Sequence, residues 1–395
     1  MPPRRPLFVT ALGVSQIFAW GTSFYFPAVF AEPIVKDTRW PLSWVVGGTS
    51  IGLLVAGLIA PHVGRLIEHR GGRPVLGLSS CLFAAGLAGI GLAPNLPCYL
   101  AAWSVLGGGM GTGLYDAVFA AIGKALGNEA RPTITNLTLF GGFASTVCWP
   151  LSSLMIETFG WRPACFVYAA LHLVVSLPLQ LSVMPQSTPS AEPAHARPQT
   201  EQTAAAQNPP ARPGMTIALL ALVLTISSAI GSIVVVHLLI FLQARGADAA
   251  AAVAIGALFG PAQVGARLIE RIFGQVYHPI WTIIASCILM LIGLALLYLG
   301  IPILVIAVLL YGGGYGIMWI ARGTLPLALF GPARYAVLMG RLAFPSLIAQ
   351  ALAPSVGAWL IENYGSDATM EILTGFAAAN VLLVAALWTR VPRPQ

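Results

Sequence analysis

Two ionisable side chains stand deep inside apolar runs and carry the most legible chemistry in this chain. They are Asp116, in GLYDAVFAAIGKALG, and Arg322, in YGGGYGIMWIARG. An ionised group in such surroundings is costly, so it is paired, hydrated or functional. The planar fork of Arg322 suits an anionic substrate, and the Asp116 carboxyl suits uptake and release of a proton. Two plainer readings stay open: a structural ion pair between two helices, and an Arg322 that snorkels to the membrane interface. Around them, Tyr115, Trp20, Tyr25, Trp319 and His237 are candidate substrate-binding residues. An interfacial aromatic belt explains Tyr25 nearly as well. His237, alone on an apolar helix, also fits a satisfied packing residue.

These groups must be positioned by elements that composition constrains tightly. Of 395 residues, 57% are hydrophobic and 8% charged, with mean hydropathy +0.83. A soluble domain carries about a quarter charged residues, so this surface faces lipid. Backbone polar groups in lipid must pair internally, which long apolar segments achieve as helices; the alternation of a membrane barrel is missing. The net charge of +7 is scattered over short loops and points to membrane orientation rather than nucleic acid. Cys81, Cys98, Cys148, Cys165 and Cys287 lie far apart, without metal-ligand or redox spacing, and no metal or cofactor is expected. The first apolar run is too long for a signal peptide and reads as a retained helix.

Windows of about twenty apolar residues fall roughly at 7–31, 43–63, 75–93, 98–123, 134–157 and 161–183, then at 215–243, 248–266, 279–299, 302–325, 337–361 and 369–390. Between the sets, residues 185–214 are rich in Pro, Ala, Gln and Ser and read as a disordered linker. The expected fold class is therefore an all-α membrane protein with twelve transmembrane helices, in a bundle over 1–184 and a second over 215–395. Placing both termini and the linker in the cytoplasm puts most arginines inside, Arg65, Arg267 and Arg271 among them, and leaves Lys36, Arg39, Arg162 and Arg245 outside.

The halves repeat. RLIEHR at Arg65 recurs as RLIERI at Arg267, LGGGMGTG at Leu106 as YGGGYGIM at Tyr311, and LMIETFG at Leu154 as WLIENYG at Trp359. Offsets of 202, 205 and 205 keep all three pairs in register, the mark of duplication and of two pseudo-symmetric six-helix bundles around one cavity. At about 1.5 Å per residue, Asp116 and Arg322 lie some 27 and 30 Å along their helices, a similar depth.

The stretch Gly64-Arg65-Leu66-Ile67-Glu68-His69-Arg70-Gly71-Gly72-Arg73 resembles the signature loop of the major facilitator superfamily, with Glu68 in place of the usual Asp and a doubled glycine. The resemblance implies the major facilitator fold, alternating access, and a gating role for Gly64, Arg65, Glu68, Arg70, Gly72 and Arg73. A purely topological anchor is the plainer alternative. It also implies that helices 1, 4, 7 and 10 line the cavity, where Asp116 and Arg322 can meet. GLYDAVFAAIGKALG, LTLFGGFASTVCWP and GWRPACFVYAALHL are similar to a bacterial branch related to monocarboxylate and oxalate transporters. Those carriers hold a substrate-binding arginine within helix 8, whereas AAAAVAIGALFGPAQVG is uncharged up to its cytoplasmic end. Helix 5 also lacks the GPxxGG pattern of drug/proton antiporters.

The resulting expectation is a secondary transporter in the cytoplasmic membrane, monomeric, moving a small organic anion by proton symport. Proton-driven efflux of an amphiphile is the alternative. Without HExxH, GxSxG or a sensory domain, nothing in the sequence reads as an enzyme or receptor.

Overall fold

A computed structural model of the chain describes residues 5–186 and 213–391, apart from Gln275 and Pro302. The linker expected at 185–214 lies, save its ends, outside the described residues. Every regular element among the described residues is helical. In the first half, α1 (Arg5–Gly21) and α2 (Pro27–Thr38) make the first span, α3 (Leu42–Arg70) the second and α4 (Gly72–Leu92) the third. The fourth comprises α5 (Leu96–Gly113) and α6 (Tyr115–Leu126), the fifth α7 (Ala130–Gly142) and α8 (Ala144–Phe159). The sixth comprises α9 (Trp161–Leu171) and α10 (Leu177–Val183), joined by one π-helical turn.

In the second half, α11 (Pro213–Ala244) is followed by α12 (Ala249–Gly256) with α13 (Phe259–Phe273), by α14 (Pro279–Tyr298) and by α15 (Leu304–Phe330). The last element, α16 (Tyr335–Trp388), has 54 residues and would run about 80 Å if straight, against a hydrocarbon core of about 30 Å. Gly365, at φ 84°, bends it into two spans. Nine helices among the described residues are long and apolar enough to cross a membrane; two of these, Leu96–Phe159 and Tyr335–Trp388, are double-length, and the first span is split into shorter pieces. The arrangement fits twelve crossings.

Several spans expected to be continuous are broken. The first is interrupted over residues 22–26, where the hydroxyl of Thr22 meets His172 Nε2 at 2.9 Å and also donates to the Phe18 carbonyl. The fourth breaks at Leu114, at φ −80° and ψ −178°. That break frees the Gly113 carbonyl, which accepts from Gln16 Nε2 at 2.7 Å. Span 1 thereby holds open a break that span 4 alone has no reason to form.

The glycine repeats bring backbones together, as expected for small-residue faces. A Cβ on Gly107 would lie 2.5 Å from the Gly52 carbonyl oxygen, and one on Gly314 would lie 2.7 Å from that of Ser286. The two halves meet where α3, α6 and α7 pack on α13, α15 and α16. That seam lies at the end of the bundle that carries the linker.

Candidate functional site

Asp116 owes its position to the Leu114 break. Because α6 restarts at Tyr115, the carboxylate sits in the first turn of a helix, whose free N–H groups and dipole favour negative charge. Arg322, on α15 of the other half, grips it with both edges of a fork: Nε donates to Oδ1 at 2.6 Å and Nη2 to Oδ2 at 2.9 Å. Nη1 reaches Ser228 on α11 at 3.3 Å, and the guanidinium lies 5.4 Å from the Trp319 ring centroid. Side-chain exposure is 3% for Arg322 and 15% for Asp116, so this is a buried bidentate pair joining the halves. With its fork filled, Arg322 has no free edge for another anion in this state.

Beside the pair is a narrow cavity of about 20 Å³, which in this state has room for about one water molecule. Trp20, Tyr115, Asp116, Trp319 and Gln350 line it, with apolar neighbours such as Leu53, Met110 and Leu347. Trp20 centres 4.9 Å from Tyr115 and 5.4 Å from Trp319, and Tyr115 centres 5.6 Å from Trp319. Three of the aromatic residues singled out in the sequence thus converge from spans 1, 4 and 10. Tyr25 stands one step behind, its ring 6.4 Å from Trp20 and 6.1 Å from Trp149. His237 is away from the cavity: its Nε2 donates to the Pro354 carbonyl at 3.0 Å, between α11 and α16. That is the packing role the sequence left open.

The residue to which sequence reasoning gave no part in the site is Arg267. Its motif repeats that of Arg65, so it reads as a cytoplasmic anchor. Arg65 is exposed, but Arg267 is 3% exposed and crosses between the halves. Nε donates to the Gly316 carbonyl at 3.0 Å, Nη1 to the Thr138 carbonyl at 2.7 Å and Nη2 to Gln263 Oε1 at 3.3 Å. The Tyr115 hydroxyl donates to the same Thr138 carbonyl at 3.3 Å, so the guanidinium adjoins the cavity wall. The paired glycines of span 5 make the room: a Cβ on Gly142 would lie 2.8 Å from Arg267 Nη1, and one on Gly141 would collide with the Tyr115 hydroxyl. Among the described residues Arg267 has no carboxylate partner, only neutral acceptors. Span 8 thus does carry an inward arginine, two residues beyond the uncharged segment AAAAVAIGALFGPAQVG.

The signature segment also departs from expectation. It is not a loop: α3 stays helical through Arg70, and only Gly71, at φ 75°, separates it from α4, which begins at Gly72. Glu68 accepts from Lys124 Nζ at 2.8 Å, a link between spans 2 and 4 of one half rather than between halves. Arg65 and Arg70 are exposed there and Arg73 is half-buried. The contact across the seam belongs to Gly64, where a Cβ would strike the Ala336 carbonyl and lie 3.2 Å from the Gly340 Cα. Further along, Arg131 Nη2 donates to the Gly274 carbonyl, and to that of Tyr277 at 2.7 Å, on the other half.

Gly64→Ala is accordingly expected to wedge α3 from α16, because a backbone carbonyl has no rotamer by which to yield. Spin labels placed on the two helices at the linker end should report longer distances than in the wild type. An unchanged distance distribution would reduce the segment to an anchor.

Two six-helix halves closed around a cavity and crossed by a buried ion pair define a multi-pass membrane transporter. Residues 10–277 match the model of the Major Facilitator Superfamily. With more than half of its length matched, the chain belongs to that superfamily. A search of curated proteins gives no sequence match. Among solved structures, the human organic anion transporter MFSD10 (TETRAN) superposes with a TM-score of 0.74 at 18% identity, covering 97% of this chain and 100% of that one. The proton:xylose symporter XylE, bound to 6-bromo-6-deoxy-D-glucose, gives 0.71 at 12% identity, covering 98% and 95%. The transporter FucP in the outward conformation gives 0.70 at 12% identity, covering 96% and 98%. At these identities the likeness concerns the fold.

Proposed function

We propose that this chain is a secondary active transporter that moves a small organic anion across the cytoplasmic membrane by alternating access, coupled to protons. The observation that carries the reading is Arg267, a cation buried between the halves with only neutral acceptors around it among the described residues. A buried charge without a counter-ion is costly, and an incoming anion supplies the missing one. Its fork faces helical carbonyls from both halves, so an anion that binds it competes with the Thr138 contact and loosens the seam. Tyr115 supplies a hydroxyl near the same guanidinium, on the shared Thr138 carbonyl.

Coupling falls to Asp116. Ionised, it holds Arg322 and keeps the linker end shut; protonated, it loses most of its attraction for the guanidinium and lets the halves part. Differential stability of the two states is what a coupling ion must provide. The resemblance to the monocarboxylate branch supports a carboxylate as the substrate, and one of the fold neighbours is itself an organic anion transporter. The alternative, proton-driven export of an amphiphile, draws on the apolar aromatic lining of the cavity. The orientation follows the basic bias, with both termini and the linker cytoplasmic and the chain working as a monomer.

The test is uptake into proteoliposomes, from a panel of carboxylates, with an imposed pH gradient. Gradient-dependent accumulation of at least one carboxylate that an uncoupler abolishes is the expected outcome. Accumulation of cationic or neutral amphiphiles, with no carboxylate moved, would transfer the case to the export reading.

A further inference from the structure

The cavity wall says more about the substrate than its charge. Trp20, Tyr115 and Trp319 present three rings from three spans, and the remaining lining is largely aliphatic. The only carboxyl group in the lining, Asp116, is already held by Arg322. Such a surface gives little to a compact, fully hydrated anion. It rewards a flat apolar body, which it desolvates on several sides.

Two polar atoms in this wall are unused. Trp20 Nε1, on span 1, and Gln350 Nε2, on span 11, are buried without a hydrogen-bond partner, and their residues are 7% and 3% exposed. Both are donors. A buried donor left unpaired costs free energy, and a polar side chain so placed usually awaits an acceptor. The two come from opposite halves, so a ligand that satisfied both would be read by both halves at once. Gln350 has a further mark: its backbone carbonyl accepts from Ser232 at 3.0 Å, which ties this part of α16 to α11 and fixes the side chain's origin.

We infer that the transported anion is a carboxylate with a planar, apolar body and a second acceptor oxygen, the body packing on Trp20, Tyr115 and Trp319 and the oxygen bound by Trp20 and Gln350. The inference rests on the organic anion reading above and names the class of anion. Compact dicarboxylates and short aliphatic acids are poor ligands on this view, since the first have no body for the rings and the second fill too little of the wall.

Four probes separate the features: benzoylformate has ring, carboxylate and second acceptor; phenylacetate lacks the acceptor; pyruvate lacks the ring; oxalate lacks the body altogether. Titration calorimetry on the purified full-length protein is expected to rank benzoylformate first, with phenylacetate and pyruvate each weaker by about tenfold, the worth of one good hydrogen bond or of a ring's contact. Gln350→Leu should weaken benzoylformate toward phenylacetate and leave phenylacetate nearly unchanged. Trp20→Phe, which keeps a ring and removes the N–H, gives a second route to the same result if the first variant folds poorly. Pyruvate or oxalate binding as tightly as benzoylformate would overturn the inference and leave the anion reading standing. Binding of none of the four would remove both.

Discussion

Replacing Asp116 with Asn is expected to abolish pH-driven accumulation, spare energy-independent exchange and lower the melting temperature of the purified protein. The first two effects follow from coupling. A neutral amide imitates the protonated carrier permanently, so the cycle still turns but no longer feels the proton gradient. The third follows from burial. Arg322 is 3% exposed and would be left without its counter-ion, and breaking a buried pair costs about 3–5 kcal/mol, whereas replacing both members is often nearly neutral. The double variant, Asp116→Asn with Arg322→Gln, should therefore melt near the wild-type temperature and still fail to accumulate substrate. Counterflow and thermal melting on the two singles and the double decide the matter. If the double variant recovers accumulation together with stability, the pair is a structural tie and Asp116 carries no coupled proton.

That this pair could be found in the sequence at all reflects the economics of lipid. A charge in an apolar window is conspicuous because almost nothing else there is charged, and the in-register repeat places Asp116 and Arg322 at one depth. Span positions were legible for the same reason, since about twenty apolar residues leave few alternatives. The breaks were not. The glycines before Leu114 weaken the end of α5 without fixing where it stops, and the Gly113 carbonyl is caught there by Gln16 from a distant span, a tertiary cause. Gln350 was overlooked although PSLIAQALAP offers a lone amide in an apolar run, a signal of the same kind as Asp116 but weaker. Arg267 shows how a repeat misleads. Duplication equates it with Arg65, yet the two halves have diverged in what they pack against. The signal that separates them is not in the motif but in its partners, the paired Gly141 and Gly142 that clear space for Tyr115 and Arg267.

Arg267→Gln should abolish binding of carboxylates without lowering the melting temperature. A structural arginine would behave in the opposite way. Its three nitrogens meet the carbonyls of Gly316 and Thr138 and the amide of Gln263, all neutral, so among the described residues no carboxylate balances the guanidinium in this buried seam. Removing that charge relieves a desolvation cost, and the lost hydrogen bonds are worth less than the ionic ones at Asp116. Strain of this kind is retained where function requires it, and stabilising such a site costs activity. Arg267→Lys refines the test. An ammonium keeps the charge but cannot span Gly316, Thr138 and Gln263 together, so carboxylate affinity should drop by about tenfold or more while maximal exchange survives at high substrate. Melting and calorimetry on both variants, compared with Arg322→Gln, complete the argument: Arg322→Gln strands the Asp116 carboxylate and should melt early. An Arg267→Gln protein that melts as early as Arg322→Gln, or that binds carboxylates normally, would show that the seam uses this arginine as a strut and that the anion is held elsewhere.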